Sequence, residues 1–128
     1  MKIILVIALV CSFLVCKAQD QQPYMYSSVL DKKFNKKIIV DTSDCLSYHF
    51  RRGIVGIFKN AKAVVLKYHT DRYLKMGNMK LWVCNMPKQI SKCKIGDTVL
   101  ISGNAYNIAG DERMIGHPTI LTEIRLKK

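Results

Sequence analysis

Lys59, Lys62, Lys67, Arg72, Lys75 and Lys80 fall in one stretch of the chain, interleaved with Tyr68, Tyr73 and Trp82. Cations at that density can hold a polyanionic backbone, and aromatic faces between them can stack on rings. These are the ingredients of a groove for an anionic or ring-bearing partner, such as single-stranded nucleic acid or an acidic glycan. The alternative is that the charge is spread evenly as solubilising charge and Trp82 belongs to a core.

Other chemistries find less support. His49, His69 and His117 stand 20 and 48 residues apart, with no local Cys or His pair to set ligand geometry, so no metal site is expected. Only 9 side chains are acidic. A phosphodiester hydrolase is a second alternative, and it would require Asp97, Asp111 and Glu112 to converge in one cleft. No nucleophile elbow or phosphate loop is present, and no catalytic residue or cofactor is expected.

The whole chain has 128 residues, a formal charge of +12, 49% hydrophobic residues and five cysteines. That apolar content excludes a disordered tail. Lys2, the apolar run 3–15 and Cys16-Lys17-Ala18 read as a secretory signal peptide cut after Ala18. The run is too short to span a hydrocarbon core, which needs roughly 20 apolar residues. A lipoprotein reading through Cys16 is disfavoured because Val15 before it is branched. Export implies a periplasmic or secreted protein with no membrane span after cleavage. Cleavage removes Lys2, Lys17, Cys11 and Cys16, leaving 110 residues with 19 basic and 9 acidic side chains, a charge of +10. One hydrophobic core is all a chain of that length builds.

Cys45, Cys84 and Cys93 remain, so at most one internal bridge can form in an oxidising compartment. A Cys84 to Cys93 bridge is the favoured pairing, because closing that short loop stabilises by roughly 2.5–3 kcal/mol. Cys45 is then free, buried, paired with another chain or, with His49, a catalytic thiol. All three can equally be small buried hydrophobes.

Residues 19–28 read as a flexible leader, and 29–52 as an N-terminal extension with a short strand at 37–40. Runs 53–59 and 63–69, parted by Asn60-Ala61-Lys62, carry a hairpin signal. A strand at 81–84 stops before Pro87, residues 88–94 suit one or two helical turns, and 98–106 and 119–127 alternate as strands. In the last of these Ile120, Thr122, Ile124 and Leu126 would share one face. The expected fold is mainly β, a small five-stranded antiparallel barrel over 53–128 with one short helix between strands three and four.

The runs Trp82-Val83-Cys84-Asn85-Met86-Pro87, Lys94-Ile95-Gly96-Asp97-Thr98-Val99-Leu100-Ile101-Ser102-Gly103 and His117-Pro118-Thr119-Ile120-Leu121-Thr122-Glu123-Ile124 carry a resemblance. They resemble the last three strands of an OB-fold barrel, and the chain is similar to small exported OB-like bacterial proteins of uncharacterised function. The resemblance implies that Gly103 bends the fourth strand, that Gly96 takes a positive φ, and that the last strand closes onto the first. It also implies a ligand face framed by the loop 107–118, which contains Arg113, with Lys59, Lys62, Lys67, Tyr68, Arg72, Tyr73 and Trp82 beside it. The expectation is an exported OB-like binding module without catalysis. The alternative is a structural or protein-interaction component whose partner is an envelope protein.

Overall fold

In the computed structural model the described residues are 22–47, 53–107 and 116–127. The signal-like segment 1–18 with Cys16, His49, the Arg51-Arg52 pair and the loop residues Asp111, Glu112 and Arg113 lie outside them. Seven strands follow in order: β1 (Tyr24–Ser27), β2 (Lys36–Ile39), β3 (Ile54–Tyr68), β4 (Asp71–Met76), β5 (Met79–Val83), β6 (Thr98–Tyr106) and β7 (His117–Leu126). Among the described residues no helix is long and apolar enough to cross a membrane.

The hairpin expected at Asn60 is absent, because β3 runs unbroken for 15 residues through both apolar runs. Its β-branched residues favour extended backbone on either side. Asn60 takes a φ of 50°, but the kink is absorbed as a β-bulge between Phe58 and Ala61, against Ser102 of β6. Its N–H donates to Ser102 Oγ at 3.1 Å, and its carbonyl accepts from the Ser28 hydroxyl, so the irregular peptide loses no hydrogen bond. The chain reverses instead at His69-Thr70, where His69 has a φ of 55°, into β4, a strand with no counterpart in the expected elements.

Five strands close on one another: β3 pairs β4, β4 pairs β5, β5 pairs β7, β7 pairs β6 and β6 pairs β3. The result is a closed barrel with the expected strand count. Its orientation is mixed and not all antiparallel, because β5 and β7 run parallel, Leu81 against His117. It is β6, not the last strand, that closes onto β3. Two short strands extend this barrel. β1, within the expected leader, lies parallel to the start of β3, and β2 lies antiparallel to the end of β7.

Inside the barrel sit Phe58, Ala61, Ala63, Val65, Leu74, Leu81, Val99, Ile101, Leu121 and Ile124, all buried. Each large apolar side chain among them contributes about 1.5–3 kcal/mol on burial. Ile90 joins this core from the link between β5 and β6. That link holds a 3-10 turn, Lys88–Lys92, in place of the expected helix. Pro87 precedes it in an extended conformation and Cys93 leaves it extended, and five residues between such ends are too few for a helix to repay its nucleation.

Gly103 sits where the fourth barrel strand bends. Its φ is 148°, and a Cβ there would run into the Ile120 carbonyl and lie 2.6 Å from Leu121 Cα. β7 bulges opposite it, with Ser102 facing Glu123 and Gly103 facing Leu121. The bulge shifts the alternation, so Pro118, Thr119, Leu121, Ile124 and Leu126 are the buried residues of β7, while Ile120 is only half-buried and Thr122 is exposed. The expected face of Ile120, Thr122, Ile124 and Leu126 is corrected accordingly.

Cys84 bonds to Cys45, with Cα atoms 5.9 Å apart, and not to Cys93. The expected Cys84 to Cys93 pairing therefore gives way, as do a catalytic Cys45 and a Cys45 joined to another chain. β7 supplies the geometric reason. Val40 N–H donates to Thr122 O at 3.0 Å and Cys84 N–H to Thr119 O at 2.8 Å, so both segments arrive on one stretch of that strand. Asn85 Nδ2 adds a bond to Asp41 O at 2.8 Å. The N-terminal extension is thus stapled to the barrel.

Candidate ligand-binding face

Alternation decides which side chains stand outside. Val65, Leu74 and Leu81 are fully buried and are cross-strand partners on β3, β4 and β5. Residues of the opposite parity therefore face outward: Leu66 and Tyr68 on β3, Tyr73 and Lys75 on β4, Lys80 and Trp82 on β5. Tyr73 lies against Trp82 with ring centroids 5.5 Å apart and planes at 30°. Tyr68 meets the same indole edge-on at 6.1 Å, and its own neighbour His69 at 4.3 Å. Three rings from three adjacent strands form one cluster on the barrel exterior.

Trp82 is held from below. A Cβ on Gly116 would lie 2.7 Å from Trp82 Cδ1 and 2.8 Å from the Lys80 carbonyl, so only glycine lets the indole settle against the start of β7. Pro118, the register partner of Trp82, is buried beside it. The indole Nε1 is buried with no hydrogen-bond partner among the described residues.

Beside the rings lies a group of lysines. Lys75 and Lys80 are direct cross-strand partners. Lys62 is exposed and stands diagonally across from Lys75, since Val64 is the register partner of Lys75. Like charges placed directly opposite destabilise a sheet by about 0.2–1 kcal/mol. Neither Lys75 nor Lys80 has an acidic partner among the described residues. Asp71 occupies the far end of the same face, across from Tyr68, about 13 Å of strand away from Lys75.

The remaining candidates go elsewhere. Lys67 and Arg72 pair with each other on the opposite side of β3 and β4, at the end of the barrel closed by the 3-10 turn. Arg72 Nη2 donates to Ser91 O at 3.4 Å, and its Nε is buried without a partner among the described residues. Lys59 is exposed at the bulge beside β1, away from the rings. Arg113 lies outside the described residues. Lys75 and Lys80 were part of the basic stretch in the sequence, but only the β4–β5 register shows that they share a face with the rings.

Cys93 is the one unpaired cysteine among the described residues, and its Sγ donates to Gln89 O at 3.7 Å. Burial, then the Asp97 carboxylate, push its thiol above the ordinary range, outweighing Lys36 and Arg72. That makes it a poor nucleophile at neutral pH. Asp97 itself accepts the Lys94 N–H at 2.9 Å, which closes the turn before β6. Among the described residues no three His, Cys, Asp or Glu side chains gather closely enough to hold a metal ion.

Comparison with known proteins gives no matching family model and no match among curated proteins or solved structures.

Proposed function

We propose that the protein is an exported, non-enzymatic OB-like binding module whose ligand is anionic and ring-bearing. The observation that carries this reading is the joint placement of Tyr68, Tyr73 and Trp82 with Lys62, Lys75 and Lys80 on one exterior face. The strand order supports the OB-like assignment: β3, β4, β5, β7, β6 and back to β3, with the third and fifth barrel strands parallel and a short turn beneath the core. In that barrel the outer face of strands two and three, between the loop joining strands one and two and the loop joining strands four and five, is the usual ligand face. Here those strands are β4 and β5, and the first of those loops is His69-Thr70. Export is supported by the signal-like segment 1–18 and by the Cys45–Cys84 bridge, since disulfides persist in oxidising compartments.

The test is a salt titration of binding to single-stranded DNA and to an acidic glycan. Affinity is expected to fall steeply as salt rises, because binding releases condensed counterions. Absence of binding to either polymer at low salt contradicts the reading.

A further inference from the structure

The exterior face has two parts at a fixed separation. Tyr73 and Trp82 form a ring pair across β4 and β5, and two residues further along the same strands Lys75 and Lys80 form a cation pair. Two residues of strand span about 6.7 Å, so the cations lie beside the ring platform and not beneath it. The paired lysines are also a local cost to the sheet that no acidic neighbour among the described residues offsets, which a bound anion between them would relieve. Asp71 stands at the other end of the face, so the lysines of this face, Lys62, Lys75 and Lys80, all lie on one side of the rings.

Resting on the proposed binding role of this face, we infer that its ligand is single-stranded nucleic acid, with bases stacked on Trp82 and Tyr73 and the backbone phosphate held between Lys75 and Lys80. In a nucleotide the sugar separates the flat base from the phosphate, so ring and charge sit side by side, as the two pairs do here. In an acidic glycan built of uronic acids the carboxylate is a substituent of the very ring that would stack. That places its charge over the platform, next to Tyr73 and Trp82 and short of the lysines. Lys62, diagonal to Lys75, continues the cation track onto β3.

Trp82 is the single tryptophan of the chain, so its emission reports on this face alone. The disulfide-intact protein is titrated with a short oligothymidylate and, separately, with polygalacturonate, following Trp82 emission and the salt dependence of affinity. The expected result is quenching by the oligothymidylate. In the Lys75→Gln/Lys80→Gln double variant, the slope of log affinity against log salt should then be smaller by about 0.7, the one phosphate that the two lysines hold between them on a single strand. Tyr73→Ala, read by anisotropy of a labelled oligonucleotide, is expected to bind about 5- to 150-fold more weakly, the loss of one stacked base. Quenching by polygalacturonate with no response to the oligothymidylate overturns the inference and leaves the binding role standing. An unchanged slope in the lysine variant, whose thermal melt verifies that it is folded, also overturns it. No response to either polymer overturns the inference and the binding role together.

Discussion

Removing the Cys45–Cys84 bridge is predicted to cost about 4 kcal/mol. The two cysteines are 39 residues apart, and in the chain-entropy account a cross-link removes loop-closure freedom from the unfolded chain in proportion to the logarithm of loop length. A loop of this size corresponds to an entropy of about 13 cal/mol/K, hence about 4 kcal/mol at 25 °C, whereas a Cys84 to Cys93 loop would give about 2.7 kcal/mol. A net stability of 5–15 kcal/mol is typical of domains, so the loss would be a large share of the total. The assay is urea denaturation of the oxidised protein and of the Cys45→Ala/Cys84→Ala variant, with Cys93→Ala as the control. The midpoint is expected to fall steeply in the double variant and hardly to move in the control. Because part of the effect acts on the unfolded chain, the denaturant slope should rise when the bridge is lost. A loss below about 1 kcal/mol, or an equal loss in Cys93→Ala, would refute the pairing and the loop argument built on it.

Three further perturbations follow from the geometry. Gly103→Ala is expected to cost about 3 kcal/mol or more, or to abolish folding, since its Cβ has no room beside the Ile120 carbonyl and the φ of 148° is strained for any L side chain; thermal melts read this directly. Lys75→Gln should raise stability by up to about 1 kcal/mol while weakening nucleic-acid binding, an opposition that a purely structural lysine would not produce. Cys93 is expected to react with iodoacetamide more slowly in the folded protein than in urea at the same mildly alkaline pH. The folded state holds the thiol proton more firmly than the unfolded chain, so this group favours the fold below the unfolded thiol pKa and that advantage is lost as pH rises through the folded one. Equal rates in the two states would contradict this.

What the sequence revealed and what it hid have physical reasons. Strands such as β6 and β7 were legible because β-branched and apolar residues recur along them, although Leu100 between Val99 and Ile101 and the bulge in β7 break strict alternation, and Gly103 could be assigned to a bend because a residue without a Cβ inside a strand has few other uses. Asn60 misled because asparagine tolerates a positive φ in a bulge as readily as in a turn, and only Ser102 on a distant strand, whose hydroxyl oxygen accepts the Asn60 N–H, distinguishes the two. β4 escaped notice because only Leu74 of its six residues is buried. The cysteine pairing depended on two segments meeting on β7, which spacing along the chain does not encode. Tyr68, Tyr73 and Trp82 were identifiable as a set by residue type. Lys67 and Arg72 looked equally suitable, and strand parity is what sends them to the other side.

The most direct test of a ligand on the outer face of β3, β4 and β5 is mapping of backbone amide shifts by heteronuclear NMR as oligothymidylate is added to the disulfide-intact protein. Perturbations are predicted to centre on Tyr68, Tyr73, Lys75, Lys80, Trp82 and Gly116. Perturbations centred instead on Lys67, Arg72 and the turn Lys88–Lys92, at the closed end of the barrel, would contradict the account.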